Sequence, residues 1–226
     1  MFLSKLVLNS KNPCVRRDIG SPYDMHKTIL RVGFDGTSKD DLGRVLFRVD
    51  QDPAGKLPPI VLVQSELEPA WETLPENYTA TTPEWKTYDP QFQIGQKLRF
   101  RLRANPTKRV AAKNERLGST HEGKRIGLLT EPDQLKWFLG KAEQGGFRVL
   151  RHNEPHDDPK NPVFNIQTVP EGRVWNGKFG YGGWFLSVRF EGVLLVTDPT
   201  AFRTLIGAGI GSAKGYGFGL LSVASA

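Results

Sequence analysis

Apolar and polar residues alternate in several short segments of the chain, which is the period-two pattern of half-buried β-strands. The clearest case is residues 97–103, where Leu98, Phe100 and Leu102 alternate with four cationic side chains. This pattern places the apolar and the cationic residues on opposite faces of one strand. Further strands are predicted at residues 2–8, 44–49, 60–63, 147–150, 163–169, 184–190, 193–196 and 220–223.

Three helices are predicted from apolar residues at helical spacing together with capping signals. The first follows Ser21, a residue type that caps helix N-termini, has Pro22 at the favoured first position and ends at Gly33. The other two are predicted at residues 130–145 and 198–207, each with a polar N-cap followed by a proline in the first turn.

In two segments the apolar and polar residues show no clear periodicity, and these segments are predicted to be irregular. The segment around Pro13, which carries a basic pair, is predicted to connect the first strand to the first helix, and residues 64–96 are polar and contain four prolines. The element order indicates an α+β fold made of two mixed units, each an antiparallel sheet with helices packed on it. We expect these units to span residues 1–110 and 111–226.

Composition excludes several classes of protein. The chain has 226 residues, of which 38% are hydrophobic and 24% charged, so it is neither disordered nor low in complexity. No apolar run approaches the roughly 18 residues of a membrane span, so no membrane partner is expected. The single cysteine excludes an internal disulfide framework and a cysteine-based zinc site, and it fits a protein of the reducing cytoplasm.

The net charge indicates a polyanionic partner. Lysine and arginine number 31 against 24 acidic residues, which gives a formal charge of +7. A chain this basic raises nucleic-acid binding as a hypothesis, and a basic enzyme without such a partner is the alternative.

The first predicted helix carries groups that could transfer protons. Met25, Ile29 and Val32 form its apolar stripe, and His26 lies at the edge of that stripe. The rest of the polar surface carries Tyr23, Lys27 and Arg31. An imidazole, a phenol and two cations could take a proton from a hydroxyl, donate one to a leaving group and neutralise an oxyanion. The alternative is that His26 has only a structural role.

Two basic regions are candidates for phosphate contact. The strand at residues 97–103 and the residues after it supply the cations Arg99, Arg101, Arg103, Lys108 and Arg109. The glycine-rich segment at residues 207–219 contains a single cation, Lys214, and lets bare backbone approach an extended phosphate chain. The alternatives are a solvated face for the strand and tight backbone packing for the glycine-rich segment.

A histidine and aspartate cluster offers a metal-dependent alternative. His152, His156, Asp157 and Asp158 are the residue types that a metal-dependent nuclease would need. Nearby prolines prevent a helix that would align the two imidazoles, so a polar loop without a metal is the preferred interpretation.

Several motifs occur along the chain in a specific order. They are the opening Phe-Leu-Ser-Lys-Leu-Val-Leu-Asn, then Arg-Arg-Asp, Ser-Pro-Tyr-Asp-Met-His-Lys-Thr, Leu-Arg-Phe-Arg-Leu-Arg-Ala-Asn-Pro, and the closing Gly-Ile-Gly-Ser-Ala-Lys-Gly-Tyr-Gly-Phe-Gly-Leu-Leu-Ser-Val. Together they resemble the CasE type of CRISPR-associated endoribonuclease, from the first strand to the last.

The resemblance implies two tandem ferredoxin-like domains and metal-independent cleavage of precursor CRISPR RNA, with no cofactor. It implies a cut at the 3′ base of the repeat stem-loop by the ribose 2′-hydroxyl, a 2′,3′-cyclic phosphate end, and retention of the product in the type I-E Cascade complex. A non-catalytic RNA-binding subunit with the same fold is the alternative.

The resemblance also assigns residues. The family's catalytic histidine and tyrosine fall on His26 and Tyr23, and its additional catalytic lysine falls on Arg31, which keeps the positive charge. The family's groove-binding hairpin corresponds to residues 167–181, where Arg173 and Lys178 are the available cations.

Overall fold

The computed structural model describes residues 1–38, 40–110, 123–152, 162–177 and 183–226. Within these ranges the chain forms two antiparallel sheets with helices packed on them and one separate two-stranded hairpin. None of the helices in these ranges is long and apolar enough to cross a membrane.

The first sheet and its helices come from the N-terminal part of the chain. Its strands are β1 (Phe2–Val7), β2 (Leu46–Asp50), β3 (Ile60–Ser65) and β4 (Glu84–Thr87), and its helices are α1 (Pro13–Gly20) and α2 (Pro22–Gly33). The strand order is β2-β3-β1-β4 with every pair antiparallel. This is the ferredoxin-like order, in which a 3-10 turn at Trp71–Thr73 stands where the second helix would be.

The second sheet repeats this plan. Its strands are β5 (Lys97–Ala104), β8 (Phe147–Val149), β9 (Ile166–Trp175), β10 (Trp184–Val196) and β11 (Leu221–Ser225), with helices α3 (Glu131–Gln144) and α4 (Pro199–Ala208). The order β11-β5-β10-β8 is again ferredoxin-like, and β9 pairs with β10 as well. The separate hairpin of β6 (Thr107–Arg109) and β7 (Arg125–Gly127) is inserted between β5 and α3. The expected α+β fold with tandem ferredoxin-like units is confirmed.

The boundary between the units differs from the prediction. Strand β5 pairs with β10 and β11 and therefore belongs to the second sheet, so the division falls before Lys97 rather than at residue 110. The fourth strand of the first sheet is β4, which lies in the segment predicted to be irregular. All four residues of β4 are exposed, so this edge strand has no alternation of apolar and polar residues to mark it.

The predicted connector around Pro13 is a helix, so that prediction is wrong. The side chain of Asn12 accepts a hydrogen bond from the Cys14 amide at 2.8 Å, and Pro13 occupies the first helical position. The three predicted helices are confirmed, and each begins where predicted. The side chains of Ser21, Thr130 and Asp198 are their N-caps and accept hydrogen bonds from backbone amides.

Each sheet has its own apolar core. In the first unit, Met25 and Ile29 of α2 pack with Leu6 and other strand residues. In the second, aromatic rings of α3 and β10 stack, with Phe138 and Phe190 at 4.9 Å between centroids. Burial of these side chains fixes the helices on their sheets.

A buried arginine joins the two units. The side chain of Arg48 on β2 is only 3% exposed and forms a bidentate ion pair with Asp50 at 2.8 and 2.9 Å. Its remaining nitrogen donates to the Arg101 carbonyl at 3.3 Å and to the Ser222 hydroxyl at 2.9 Å, both in the second sheet. A guanidinium has the donors to satisfy both sides at once, so this side chain fixes one sheet against the other.

We expect Arg48→Met to lower the free energy of unfolding by about 3 kcal/mol, because it removes charged hydrogen bonds and leaves carbonyls of the second sheet unpaired. Urea denaturation followed by circular dichroism measures this change. The control is Arg16→Met, which alters an exposed arginine of α1. Equal midpoints for the two variants would show that Arg48 does not hold the units together.

Candidate active site

The position of His26 is fixed by the N-cap of α2 and by the buried side chains of the same helix. The Ser21 hydroxyl accepts a hydrogen bond from the Asp24 amide at 3.2 Å, and this bond fixes the start of the helix. Met25 and Ile29 are almost completely buried and anchor the helix on the first sheet. His26 therefore lies at the boundary of the core, where its imidazole is half-buried.

The glycine loop, which we define as residues 209–219, runs from α4 to β11 and covers His26. A Cβ atom placed on Gly215 would lie 3.5 Å from His26 Cε1, which is ordinary van der Waals contact, so the backbone of Gly215 lies close to the imidazole. The rings of Phe47 and Tyr216 stack on this imidazole, with centroid distances of 6.4 and 6.5 Å. Two elements of the first unit and one of the second thus meet at one histidine.

Gly217 makes this approach possible. Its φ is +82°, and a Cβ there would lie 3.0 Å from Phe47 Cε2. A side chain at this position would be strained by its backbone conformation and would press on the ring that stacks on His26.

Burial lowers the pKa of two groups at the site. Desolvation lowers the pKa of His26 from its ordinary value of 6.5, which favours a neutral imidazole near pH 7. The pKa of Lys214 is also lowered, first by burial and then by repulsion from Arg44 and Lys141. Lys214 is the residue before Gly215, so the loop segment that lies close to the imidazole also carries a cation.

Tyr23 lies one turn before His26 at the start of α2. Its amide donates to the Asn176 carbonyl at 3.1 Å, and the Lys27 ammonium lies 4.9 Å from the centre of its ring. Residues three apart on a helix are neighbours on its surface, so the phenol and the imidazole face the same side. Arg31 is exposed, and at 100° per residue it lies about 140° around the helix from His26.

A basic groove, which we define by the cations Arg109, Arg125, Lys141 and Lys214, lies beside the glycine loop. Its cavity has a volume of about 400 Å³ and is lined by Thr107, Arg109, Arg125, Trp137, Lys141, Gln144, Leu205, Gly209, Ile210, Gly211, Ser212 and Lys214. Four of these residues are cations and none is a carboxylate. Such a groove suits a phosphate chain.

The cationic face of β5 is largely neutralised by carboxylates. Arg101 pairs with Glu191, and the Arg103 Nε lies 2.7 Å from a carboxylate oxygen of Glu171. Arg99 uses its Nε to bond the Ser225 carbonyl at 3.0 Å. These arginines, predicted to contact phosphate, are tied into interactions within the second sheet.

The other predicted binding residues lie in different places. Lys108 and Arg109 are exposed on β6, and Arg173 on β9 lines a second cavity near Tyr216. Lys178 lies outside the described residues.

The histidine and aspartate cluster is described only in part. The His152 amide donates to the Val163 carbonyl at 2.7 Å, whereas His156, Asp157 and Asp158 lie outside the described residues. Within the residues that the structure does describe, no group of three or more His, Cys, Asp or Glu side chains could hold a metal ion.

Several site residues were not predicted. Phe47 and Tyr216 enclose the imidazole, and Arg44, Arg125 and Lys141 add to the positive charge around Lys214. Only Tyr216 had a signal in the sequence, since it stands in Lys-Gly-Tyr-Gly-Phe, a glycine-rich stretch with a cation and two aromatics. The others come from separate elements that only the fold brings together.

Tandem ferredoxin-like units with a basic groove are typical of proteins that bind RNA. The family model described as "CRISPR associated protein" matches residues 1–225. CRISPR-associated endoribonuclease Cse3 of Thermus thermophilus is 38% identical over 99% of this chain and 100% of its own length. The Cascade subunit CasE of Escherichia coli is 34% identical over 99% of both chains.

Solved structures agree with these matches. A structure of Cse3 bound to 19 nt RNA superimposes with a TM-score of 0.81 at 35% identity and covers 99% of this chain and 100% of that chain. The chain therefore belongs to the CasE type of CRISPR-associated proteins, the family to which its motifs pointed.

We expect the pKa of His26 to rise toward 6.5 in Tyr216→Ala, because loss of the stacked ring exposes the imidazole to water. An NMR titration of the imidazole Cε1 protons measures this pKa in the wild-type protein and the variant. Trp85→Ala, which alters a tryptophan of β4, is the control and should leave the pKa unchanged. An unchanged pKa in Tyr216→Ala would show that the Tyr216 ring does not desolvate His26.

Proposed function

We propose that this chain is an endoribonuclease that binds the repeat stem-loop of CRISPR precursor RNA, cuts it at the 3′ base of the stem and keeps the product within Cascade. The observation that carries the proposal is the half-buried His26 covered by a glycine loop that also borders the basic groove. The names of the relatives support it, since Cse3 is an endoribonuclease and CasE is a subunit of Cascade.

The proposed reaction uses a nucleophile that belongs to the RNA. The 2′-hydroxyl oxygen attacks the adjacent phosphorus, the O2′–P bond forms and the P–O5′ bond breaks. The proton of the 2′-hydroxyl goes to a base, and an acid protonates the leaving 5′-oxygen. The products are a 2′,3′-cyclic phosphate and a 5′-hydroxyl, and no metal ion takes part.

His26 is the proposed proton-transfer group. Because burial lowers its pKa, the imidazole is predominantly neutral near pH 7 and can accept a proton. Tyr23, one turn away on the same side of α2, orients the 2′-hydroxyl or takes part in the transfer. Lys27, whose ammonium lies over the Tyr23 ring, offsets the negative charge of the phosphorane. Arg31, on another side of α2, adds positive charge only at longer range, and Lys214, the residue before Gly215, supplies further positive charge from the second unit.

The basic groove is the proposed site for the phosphates of the stem. RNA in A-form helices hides its base edges in a deep, narrow major groove, so shape and phosphate contacts dominate recognition. Arg109 and Arg125 of the β6–β7 hairpin line this groove, and Lys141 and Lys214 add charge from α3 and the glycine loop. Lys108 is exposed on the same hairpin and adds positive charge near the groove.

We expect His26→Ala to slow cleavage of a repeat stem-loop at least 100-fold, the lower end of the general acid–base contribution, and to change its affinity less than two-fold. Single-turnover cleavage in excess chelator and filter binding measure the two quantities. His152→Ala is the matched control, because this histidine lies far along the chain in the predicted polar loop.

The outcomes separate the alternatives. Cleavage at the wild-type rate by His26→Ala would contradict the assignment of His26. Binding without any cleavage by the wild-type protein would favour a non-catalytic RNA-binding subunit, and activity lost in chelator would favour a metal-dependent nuclease. Cutting of an RNA with 2′-deoxyribose at the scissile position would exclude the proposed chemistry.

The salt dependence of binding should distinguish the two basic regions. We expect Arg109→Ala and Arg125→Ala each to reduce the slope of log affinity against log salt by about one, because each removes a phosphate contact. Arg101→Ala is the matched control, since its charge is offset by Glu191, and it should leave the slope nearly unchanged. A larger slope change for Arg101→Ala would place the RNA on the β5 face instead.

A further inference from the structure

A second cavity is connected to the surroundings of the imidazole through Tyr216. It has a volume of about 480 Å³, within the range of small-ligand sites, and Tyr216 is part of its lining. The Tyr216 ring lies 6.5 Å from the His26 ring and 4.9 Å from the Phe185 ring, and Phe185 also lines the cavity. One ring therefore belongs both to the surroundings of His26 and to the wall of this cavity.

The lining of this cavity combines aromatic rings with cations. The rings are Trp184, Phe185 and Tyr216, and the cations are Arg125 and Arg173. No carboxylate is among the described residues that line it. Flat rings together with guanidinium groups are suited to a nucleobase and its phosphate, whereas an apolar peptide would leave two cations unpaired.

Trp184 is the most exposed of the three aromatic rings in this lining. Its side chain is 62% exposed at the start of β10, where it pairs across the sheet with Trp175. Trp71, by contrast, is 3% exposed and donates a hydrogen bond from its indole to Ser4. Trp184 belongs to neither apolar core, so its large ring is available to a ligand.

We propose that this cavity is a subsite for the unpaired nucleotide that follows the scissile phosphate, with its base stacked on Trp184 and its phosphate held by Arg125 or Arg173. This inference rests on the proposed function. A cut at the 3′ base of a stem leaves the 2′-hydroxyl on a paired nucleotide and the leaving 5′-oxygen on an unpaired one. Unpaired bases are the part of RNA that aromatic side chains bind by stacking.

The subsite would bind part of the substrate but no part of the stem-loop product. It would hold the leaving nucleotide in line with the attacking oxygen, so it would act on the substrate before the cut. The stem-loop product ends at the cyclic phosphate and has no nucleotide for this cavity. Trp184 is thus a positioning residue for the substrate and contributes nothing to product binding.

The test compares two RNAs with the wild-type protein, Trp184→Ala and Trp85→Ala. One RNA carries a normal nucleotide after the scissile phosphate, and the other carries an abasic nucleotide there. We expect the wild type to cleave the abasic RNA about ten-fold more slowly, in line with the loss of one stacked base. We expect Trp184→Ala to cleave both RNAs at that same lowered rate, and Trp85→Ala to behave as the wild type.

Two further measurements complete the test. Trp184→Phe should restore most of the rate on the normal RNA, and the affinity for the product stem-loop should be equal in all variants. An abasic penalty that persists unchanged in Trp184→Ala, or a loss of product affinity, would overturn the subsite. Failure of the proposed function would look different, because the wild type would then cut neither RNA.

Discussion

The contact between the glycine loop and the first ferredoxin-like unit is the constraint on which the site depends. The backbone of Gly215 lies close to His26, and at Gly217 an added Cβ atom would lie only 3.0 Å from Phe47 Cε2. Burial at this contact desolvates the imidazole, and the Tyr216 ring of the loop lies against the imidazole and also lines a cavity. The ferredoxin-like sheets and their helices are the support that holds these two surfaces together.

The buried Arg48 supports that contact from the other end of the interface. It satisfies a carboxylate of its own strand and acceptors of the second sheet, so a shift of one unit against the other would break several charged hydrogen bonds. Rigid placement matters for proton transfer, because a small displacement of the imidazole from the reacting atoms removes most of its effect. The same arginine therefore serves stability and the geometry of the site.

Positive charge has two different uses in this molecule. On β5 the arginines alternate as the sequence indicates, but Glu191 of β10 lies opposite Arg101 in register and Glu171 of β9 forms an ion pair with Arg103. Around the glycine loop, cations from the β6–β7 hairpin, α3 and the loop meet without a carboxylate among the described lining residues. Among the residues that the structure describes, the cations of this groove have no carboxylate in the groove lining, which favours binding of a polyanion.

Local signals in the sequence determined the capped helices, most of the strands and the placement of His26 at the edge of an apolar stripe. These features depend on neighbours within a few residues, and the motifs along the chain identified the family. Tertiary structure alone decided that β5 belongs to the second sheet, that exposed β4 completes the first, and which arginines are paired. It also decided that Phe47 and Tyr216 enclose the imidazole. Pairing across a sheet and contact between units bring together residues that are far apart in the chain. The local periodicity of apolar residues does not indicate which of these residues a side chain contacts.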